Sequence, residues 1–198
     1  MQVVFASNNA GKTREVATHL AGLGIELLPQ GQFAIESIEE TGLSFVENAI
    51  LKARHASQLA GLPAIADDSG IEVDALQGAP GVQSARYGGP DADDSMNNAR
   101  LLKALDNTPD SERTARFQCI IVYMRHATDP TPIICQGAWE GLILRQPRGE
   151  NGFGYDPLFW LPDLQCTAAE LDLDQKNRFS HRGHALRKLL TALRSEVS

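Results

Sequence analysis

The chain has no apolar run near the roughly 18 residues that a membrane-spanning helix needs. Its polar loop Ser7-Asn8-Asn9 follows Met1 too closely for a secretory leader to be expected. Cysteine is scarce: Cys119, Cys135 and Cys166 are widely spaced, odd in number and form no C-x-x-C pair. Such usage argues against a disulfide framework or a zinc site and fits buried thiols in a reducing compartment. Positive charge is also in deficit, with 18 Lys and Arg against 25 Asp and Glu and a net charge of −7. Clustered cations would be needed to grip a nucleic-acid backbone, so that partner is not expected. Internal repeats, low-complexity tracts and linkers are absent as well. The expectation is a soluble cytoplasmic protein that binds neither nucleic acid nor membrane. A small anionic ligand stays compatible if lysines, arginines or a metal cation gather locally against the overall field.

What the chain does have is enough apolar matter, 42% of 198 residues, to bury one sizeable core, so residues 1–198 are expected to form a single domain, of two lobes at most. Gln2 to Ala6 reads as a buried strand, Thr13 to Leu23 as a helix with Val16, Leu20 and Leu23 on one face, and Ile25 to Leu28 as a second strand. A long helix from about Ser44 to Leu59 is signalled by a Ser44/Glu47 capping box and the small-residue face Ala49, Ala53, Ala56 and Ala60. Pro63 to Ala66 reads as a short strand ending at Asp67, and Ile71 to Asp74 as an exposed one. A helix over Asp91 to Leu105, a strand over Arg116 to Met124, two strands within Ile133 to Leu144 and an amphipathic helix from His181 to Arg194 complete a mixed α/β chain.

Four places carry chemistry. The loop Ser7-Asn8-Asn9-Ala10-Gly11-Lys12 joins a strand to a helix, where free backbone N–H groups and the positive helix end converge on one point and a lysine adds full charge. Ala6-x-x-x-x-Gly11-Lys12-Thr13 matches the P-loop pattern at all but one position, with alanine in the place of its first glycine. With Asp67 or Asp68 as the Mg²⁺ carboxylate, a P-loop ATPase or kinase is one reading, and a plain strand-to-helix turn another. Glu39, Glu40, Asp67 and Asp68 form the densest acidic group beside strand ends. A pair of them would suffice for Mg²⁺, which takes one or two carboxylates, and a free carboxylate oxygen could accept a proton from water. Equally, Asp67-Asp68-Ser69-Gly70 could be only a turn and Glu39-Glu40 solvated loop charge.

Gly152-Phe153-Gly154-Tyr155-Asp156-Pro157 sets two aromatics among glycines, suiting either a purine stacked on a ring or a hairpin whose rings cover the core edge. Ser180-His181-Arg182-Gly183, with Lys176 four residues before it, reads as a Ser-capped helix start with His181 and Arg182 pointing outward. Arginine suits the O6 and N7 acceptors of a 6-oxopurine. No histidine is tied to Ser69 as a nucleophilic triad would require.

Ser7-x-Asn9-x-x-Lys12, Glu39-Glu40-Thr41-Gly42, Phe45-x-Glu47-Asn48-Ala49-x-x-Lys52-Ala53, Asp67-Asp68-Ser69-Gly70, Gly81-x-x-Ser84-Ala85-Arg86-Tyr87, Phe153-Gly154-Tyr155-Asp156-Pro157 and Lys176-Asn177-x-x-Ser180-His181-Arg182 together resemble the inosine/xanthosine triphosphate pyrophosphatase family, in its order and over nearly the whole chain. The resemblance implies an elongated two-lobed α/β fold around a long twisted sheet with the active site between the lobes, usually a homodimer. It also implies Mg²⁺-dependent hydrolysis of ITP, dITP and XTP between the α and β phosphates. By position, residues 7–12 (Ser7, Asn8, Asn9, Ala10, Gly11 and Lys12), Lys52 and Ser69 would contact substrate, chiefly its phosphates. Glu39 and Asp68 would hold Mg²⁺, with Asp68 also the general base. Phe153 would stack on the base, beside Gly154, Tyr155, Asp156, Lys176, His181 and Arg182. Asn8 stands where the family more often has glycine, a departure that bears on the loop's backbone. A non-catalytic purine-nucleotide sensor is the remaining alternative; it would keep Phe153 and Arg182 but need no general base.

Overall fold

Val3, Val4 and Phe5 are wholly buried, as expected for a strand covered on both faces, and they lie in strand β1 (Gln2–Phe5) of a computed structural model that describes residues 1–197. Helix α1 (Ala10–Leu20) starts earlier than expected because Asn9 caps it, its side chain accepting from the Lys12 N–H. Strand β2 (Glu26–Pro29) runs parallel to β1. Helix α2 (Phe45–Ala60) has the predicted cap: Ser44 accepts from the Glu47 N–H, and Ala49, Ala53 and Ala56 are wholly buried.

Strand β3 (Ala64–Val73) departs from expectation. Asp67 to Gly70 do not form a turn; they lie inside one ten-residue strand, between buried Ala64-Ile65-Ala66 and buried Ile71 and Val73. The flanking apolar residues keep the strand in the interior, and lysines answer its carboxylates. Helix α3 (Asp94–Ala104) begins three residues after Asp91, at the N-cap Asp93. Strand β4 (Thr114–Met124) is as predicted at its apolar middle. Strand β5 (Ile133–Ile143) is one element rather than two. Its Gly141 marks no break; a Cβ there would collide with the Trp160 carbonyl and the Phe159 ring of the neighbouring strand, so glycine serves close approach. Strands β6 (Phe159–Leu161) and β7 (Cys166–Thr167) and helix α4 (Leu173–Phe179) were not expected, although Asp172 and Gln175 form a capping box at the start of α4. Helix α5 (His181–Val197) ends the chain.

One open sheet runs β2-β1-β3-β4-β5-β6-β7, parallel at β1 with β2 and β3 and antiparallel from β5 to β7. The chain divides into two compact units. The first comprises Met1–Asp68, Cys119–Gly137 and the chain from His184 on. Its core joins Val3 and Phe5 with Val16 and Leu20 of α1, Ile65, Ile121 and the α5 residues Ala185, Leu186, Leu189 and Leu193. The second comprises Ser69–Gln118 and Ala138–Gly183. Its core joins Ile71, Val73, Leu101, Leu105, Phe117, Trp139, Tyr155, Leu158 and Phe159. Among the described residues no helix is long and apolar enough to cross a membrane.

Candidate active site

In the first unit the β1–α1 turn is built from its own side chains. Ser7 Oγ accepts from the Asn9 N–H at 3.1 Å, and Asn9 Oδ1 accepts from the Lys12 N–H at 3.0 Å. Gly11 and Lys12 therefore sit inside the first helical turn, leaving no room for the long cradle of a P-loop. Asn8 needs no glycine-like backbone: Ala34, Gln77 and Gln165 are the positive-φ non-glycine residues among those described.

The Lys12 side chain reaches across to β3, its Nζ 2.9 Å from Oδ2 of the buried Asp67. Lys52, one turn after Asn48 on α2, contacts Glu40 at 2.7 Å and Asp68 at 2.8 Å. Ser7, Asn8, Lys12, Glu40, Lys52 and Asp67 line one polar pocket of about 180 Å³. Burial holds the Asp68 carboxyl above the ordinary carboxylate range; Lys52 opposes this, while Glu40 and Asp67 add to it. Burial also works against the charge on Lys52, but the nearby carboxylates, Asp68 first, outweigh it and raise its pKa. The Asp68 shift comes first from burial, and the Lys52 shift from its neighbouring carboxylates. The carboxylates Glu40, Asp67 and Asp68 are ion-paired with the lysines Lys12 and Lys52, and Glu39, beside Glu40 in the chain, is exposed.

Such a set of hard oxygen donors with surplus negative charge fits a hard divalent cation. Among the described residues no three carboxylate, imidazole or thiolate groups converge on one point. Mg²⁺ does not need that many, since substrate phosphates and water complete its shell. Asp68 is directed at Lys52 through Oδ1. Of the two glutamates, the structure brings Glu40 to Lys52, whereas Glu39 lies outside the pocket lining. The acidic segment is pinned to α2 by a device that spacing did not reveal. The Gly42 N–H donates to Oδ1 of the buried Asn48 at 2.8 Å, and a Cβ on Gly42 would strike Asn48 and Glu47.

The second unit gathers the other predicted residues. Gly152 and Gly154 hold φ of +79° and +62°, so the aromatic loop uses conformations open chiefly to glycine. Asp156 is 2% exposed, accepts from the Phe153 N–H at 2.8 Å and pairs with Lys176, whose Nζ stands 4.6 Å from the Phe153 ring centre. The two rings split their duties. Phe153 is 59% exposed, whereas Tyr155 is buried and donates its hydroxyl to the Ser84 carbonyl at 2.7 Å. Burial, with Tyr87 and Asp94 nearby, keeps the Tyr155 phenol protonated far above its usual range.

His181 and Arg182 do not point outward as expected; they are 6% and 5% exposed. The His181 ring stacks on Phe117 at 4.9 Å, and Arg182 Nη2 lies 3.4 Å from Ser69 Oγ. Ser180 caps their helix, accepting from the Gly183 N–H at 3.2 Å. Sequence reading also missed Asp94 and Asn98, which bind the Gly154 backbone; a helix start 60 and 56 residues away carries no local sign of that contact.

The chain is similar to known proteins over almost its full length. The chain is 60% identical over 193 residues to a dITP/XTP pyrophosphatase of Thioalkalivibrio sulfidiphilus (strain HL-EbGR7), covering 98% of each. It is 56% identical over 194 residues to a dITP/XTP pyrophosphatase of Shigella flexneri, again covering 98% of each. The structure of a HAM1 protein from Coxiella burnetii superimposes with a TM-score of 0.95 at 52% identity, over 98% of this chain and 99% of that one. With residues 3–192 also matching the family model described as Ham1 family, the chain belongs to the Ham1 family.

Proposed function

We propose that this protein hydrolyses the non-standard purine nucleoside triphosphates ITP, dITP and XTP to the monophosphate and pyrophosphate, with Mg²⁺ as its cofactor, as a cytoplasmic homodimer. The observation that carries the reading is the polar pocket beside the Ser7–Asn9 turn in which Lys12 meets Asp67 and Lys52 meets Glu40, with Lys52 also paired to Asp68. The activity named for the dITP/XTP pyrophosphatases it resembles supports the same substrate class.

The triphosphate is taken by Ser7, Asn8, Asn9, Ala10, Gly11, Lys12, Lys52 and Ser69. The base and sugar are taken by Phe153, Gly154, Tyr155, Asp156, Lys176, His181 and Arg182. Asp68 accepts a proton from the water that attacks the α phosphorus. The bond from that phosphorus to the bridging oxygen breaks, and pyrophosphate leaves with its charge stabilised by Lys12 and Lys52. No covalent intermediate is needed. Asp68 and Glu39 would hold Mg²⁺, which would supply electrostatic stabilisation of the phosphate oxygens.

Two measurements test this reading. Incubation with ITP, dITP, XTP, ATP and GTP in Mg²⁺ is expected to yield pyrophosphate and monophosphate from the first three. Orthophosphate with a diphosphate product would sink the reading in favour of a kinase- or ATPase-like cleavage. Glu39→Gln is expected to raise the Mg²⁺ concentration for half-maximal rate by about tenfold or more, the scale seen on disturbing a metal site. Glu40→Gln should raise it less; the opposite order would transfer the ligand role to Glu40.

A further inference from the structure

Asp94 and Asn98 stand one turn apart on α3, so their side chains share a helix face. Both address one residue of the aromatic loop. The Gly154 N–H donates to Asp94 Oδ2 at 2.6 Å, and Asn98 Nδ2 donates to the Gly154 carbonyl at 2.8 Å. With the Phe153 N–H held by Asp156, the backbone on both sides of the Phe153 side chain is fixed. Helix α3 is itself anchored within the second unit. Asn97, 3% exposed, accepts from the Gly88 N–H at 2.7 Å and donates to the Ala85 carbonyl at 3.2 Å. Arg100 lies over the Tyr87 ring at 5.2 Å.

The loop would be mobile without such a hold. Gly152 and Gly154 both use positive φ, and glycine loses more chain freedom on ordering than any other residue. The exposed Phe153 ring has no core packing to locate it. A stacking surface on a mobile loop would incur that entropy at every binding event, whereas a loop held beforehand does not.

We propose that Asp94 and Asn98 are positioning residues for purine binding: by clamping the Gly154 backbone, α3 presets the Phe153 ring as the surface on which the base stacks. The inference rests on the nucleotide reading above for the role of Phe153. A purely structural role fits poorly, because Asp94 is exposed, and exposed substitutions usually change stability little.

The test is the affinity for IMP by titration calorimetry beside inhibition by inorganic pyrophosphate, which needs no base contact. Asp94→Ala and Asn98→Ala are each expected to weaken IMP binding about tenfold, the scale of one charge-assisted or well-aligned hydrogen bond, with pyrophosphate inhibition unchanged. Asp94→Asn keeps an oxygen for the Gly154 N–H and should restore IMP affinity. In dITP hydrolysis the alanine variants should raise KM more than they lower kcat. Wild-type IMP affinity in both folded alanine variants, or an Asp94→Asn as weak as Asp94→Ala, overturns the clamp alone. Parallel loss of IMP and pyrophosphate binding overturns it too, by showing a general distortion. Absence of IMP affinity in the wild type would instead sink the nucleotide reading, and the clamp with it. Should Asp94→Ala fail to fold, Asn98→Ala decides.

Discussion

Asp68→Asn is expected to lower kcat on ITP by roughly 10²-fold or more, the scale of losing a general base. Asp68 is 8% exposed, and burial together with Glu40 and Asp67 raises its affinity for a proton against the pull of Lys52. A carboxylate in that position is a better proton acceptor than one in bulk water, yet Lys52 at 2.8 Å keeps it oriented. Asparagine has nearly the same shape and its amide oxygen can still accept from Lys52, but it takes no proton at neutral pH and is a weak ligand for a hard cation. Lys52 keeps Glu40 as a partner, so the variant should fold. Steady-state rates at saturating Mg²⁺, beside a thermal melt, check the result. A folded variant with normal turnover removes Asp68 from the mechanism.

The second large effect is on selectivity. Arg182→Ala should narrow the ITP-to-ATP ratio of kcat/KM by about 10- to 10²-fold, the equivalent of one buried polar mismatch of roughly 1–3 kcal/mol. Hypoxanthine offers an oxygen at position 6 where adenine offers an amino donor, and a guanidinium, which has no acceptor, can satisfy only the former. Arg182 is 5% exposed and lies 3.4 Å from Ser69 Oγ, so a mismatch there would be buried rather than repaired by water. Arg182→Lys separates charge from shape. It keeps the cation but loses the planar fork, and it should recover little of the discrimination. Equal loss on both substrates would make Arg182 a phosphate or structural residue and end this account of base selection.

Local signals account for much of the secondary structure. The Ser44/Glu47 box marks where α2 begins, and the alanine face of α2 is buried as read. The apolar middle of β4 and the leucine stripe of α5 fall in the cores for the same reason, because burial follows a periodicity visible in a short window. Errors arose where a distant partner overrode a local cue. Asp67-Asp68-Ser69-Gly70 has the composition of a turn, but Lys12 and Lys52 compensate its carboxylates and the strand runs through. Ile133 to Ile143 is one strand rather than the two expected, and its Gly141 is where Phe159 and Trp160 need room. A basic helix start is ordinarily solvated, so the local sequence predicts outward side chains at His181 and Arg182. Phe117 and Ser69 draw them in.

By itself the amino-acid order determined the mixed α/β class, the capped helices and the set of motifs that mark the family, since each depends on neighbours within a few residues or on residue identity alone. Only the tertiary structure decided which carboxylate meets which lysine. It also decided that Tyr155 is buried while Phe153 is exposed, and that α3 holds the Gly154 backbone. Those pairings join residues 12 to 71 positions apart. What selects them is burial, which makes an unpaired charge or N–H costly wherever the chain brings it into the core, and that cost depends on the folded surroundings, not on the local sequence.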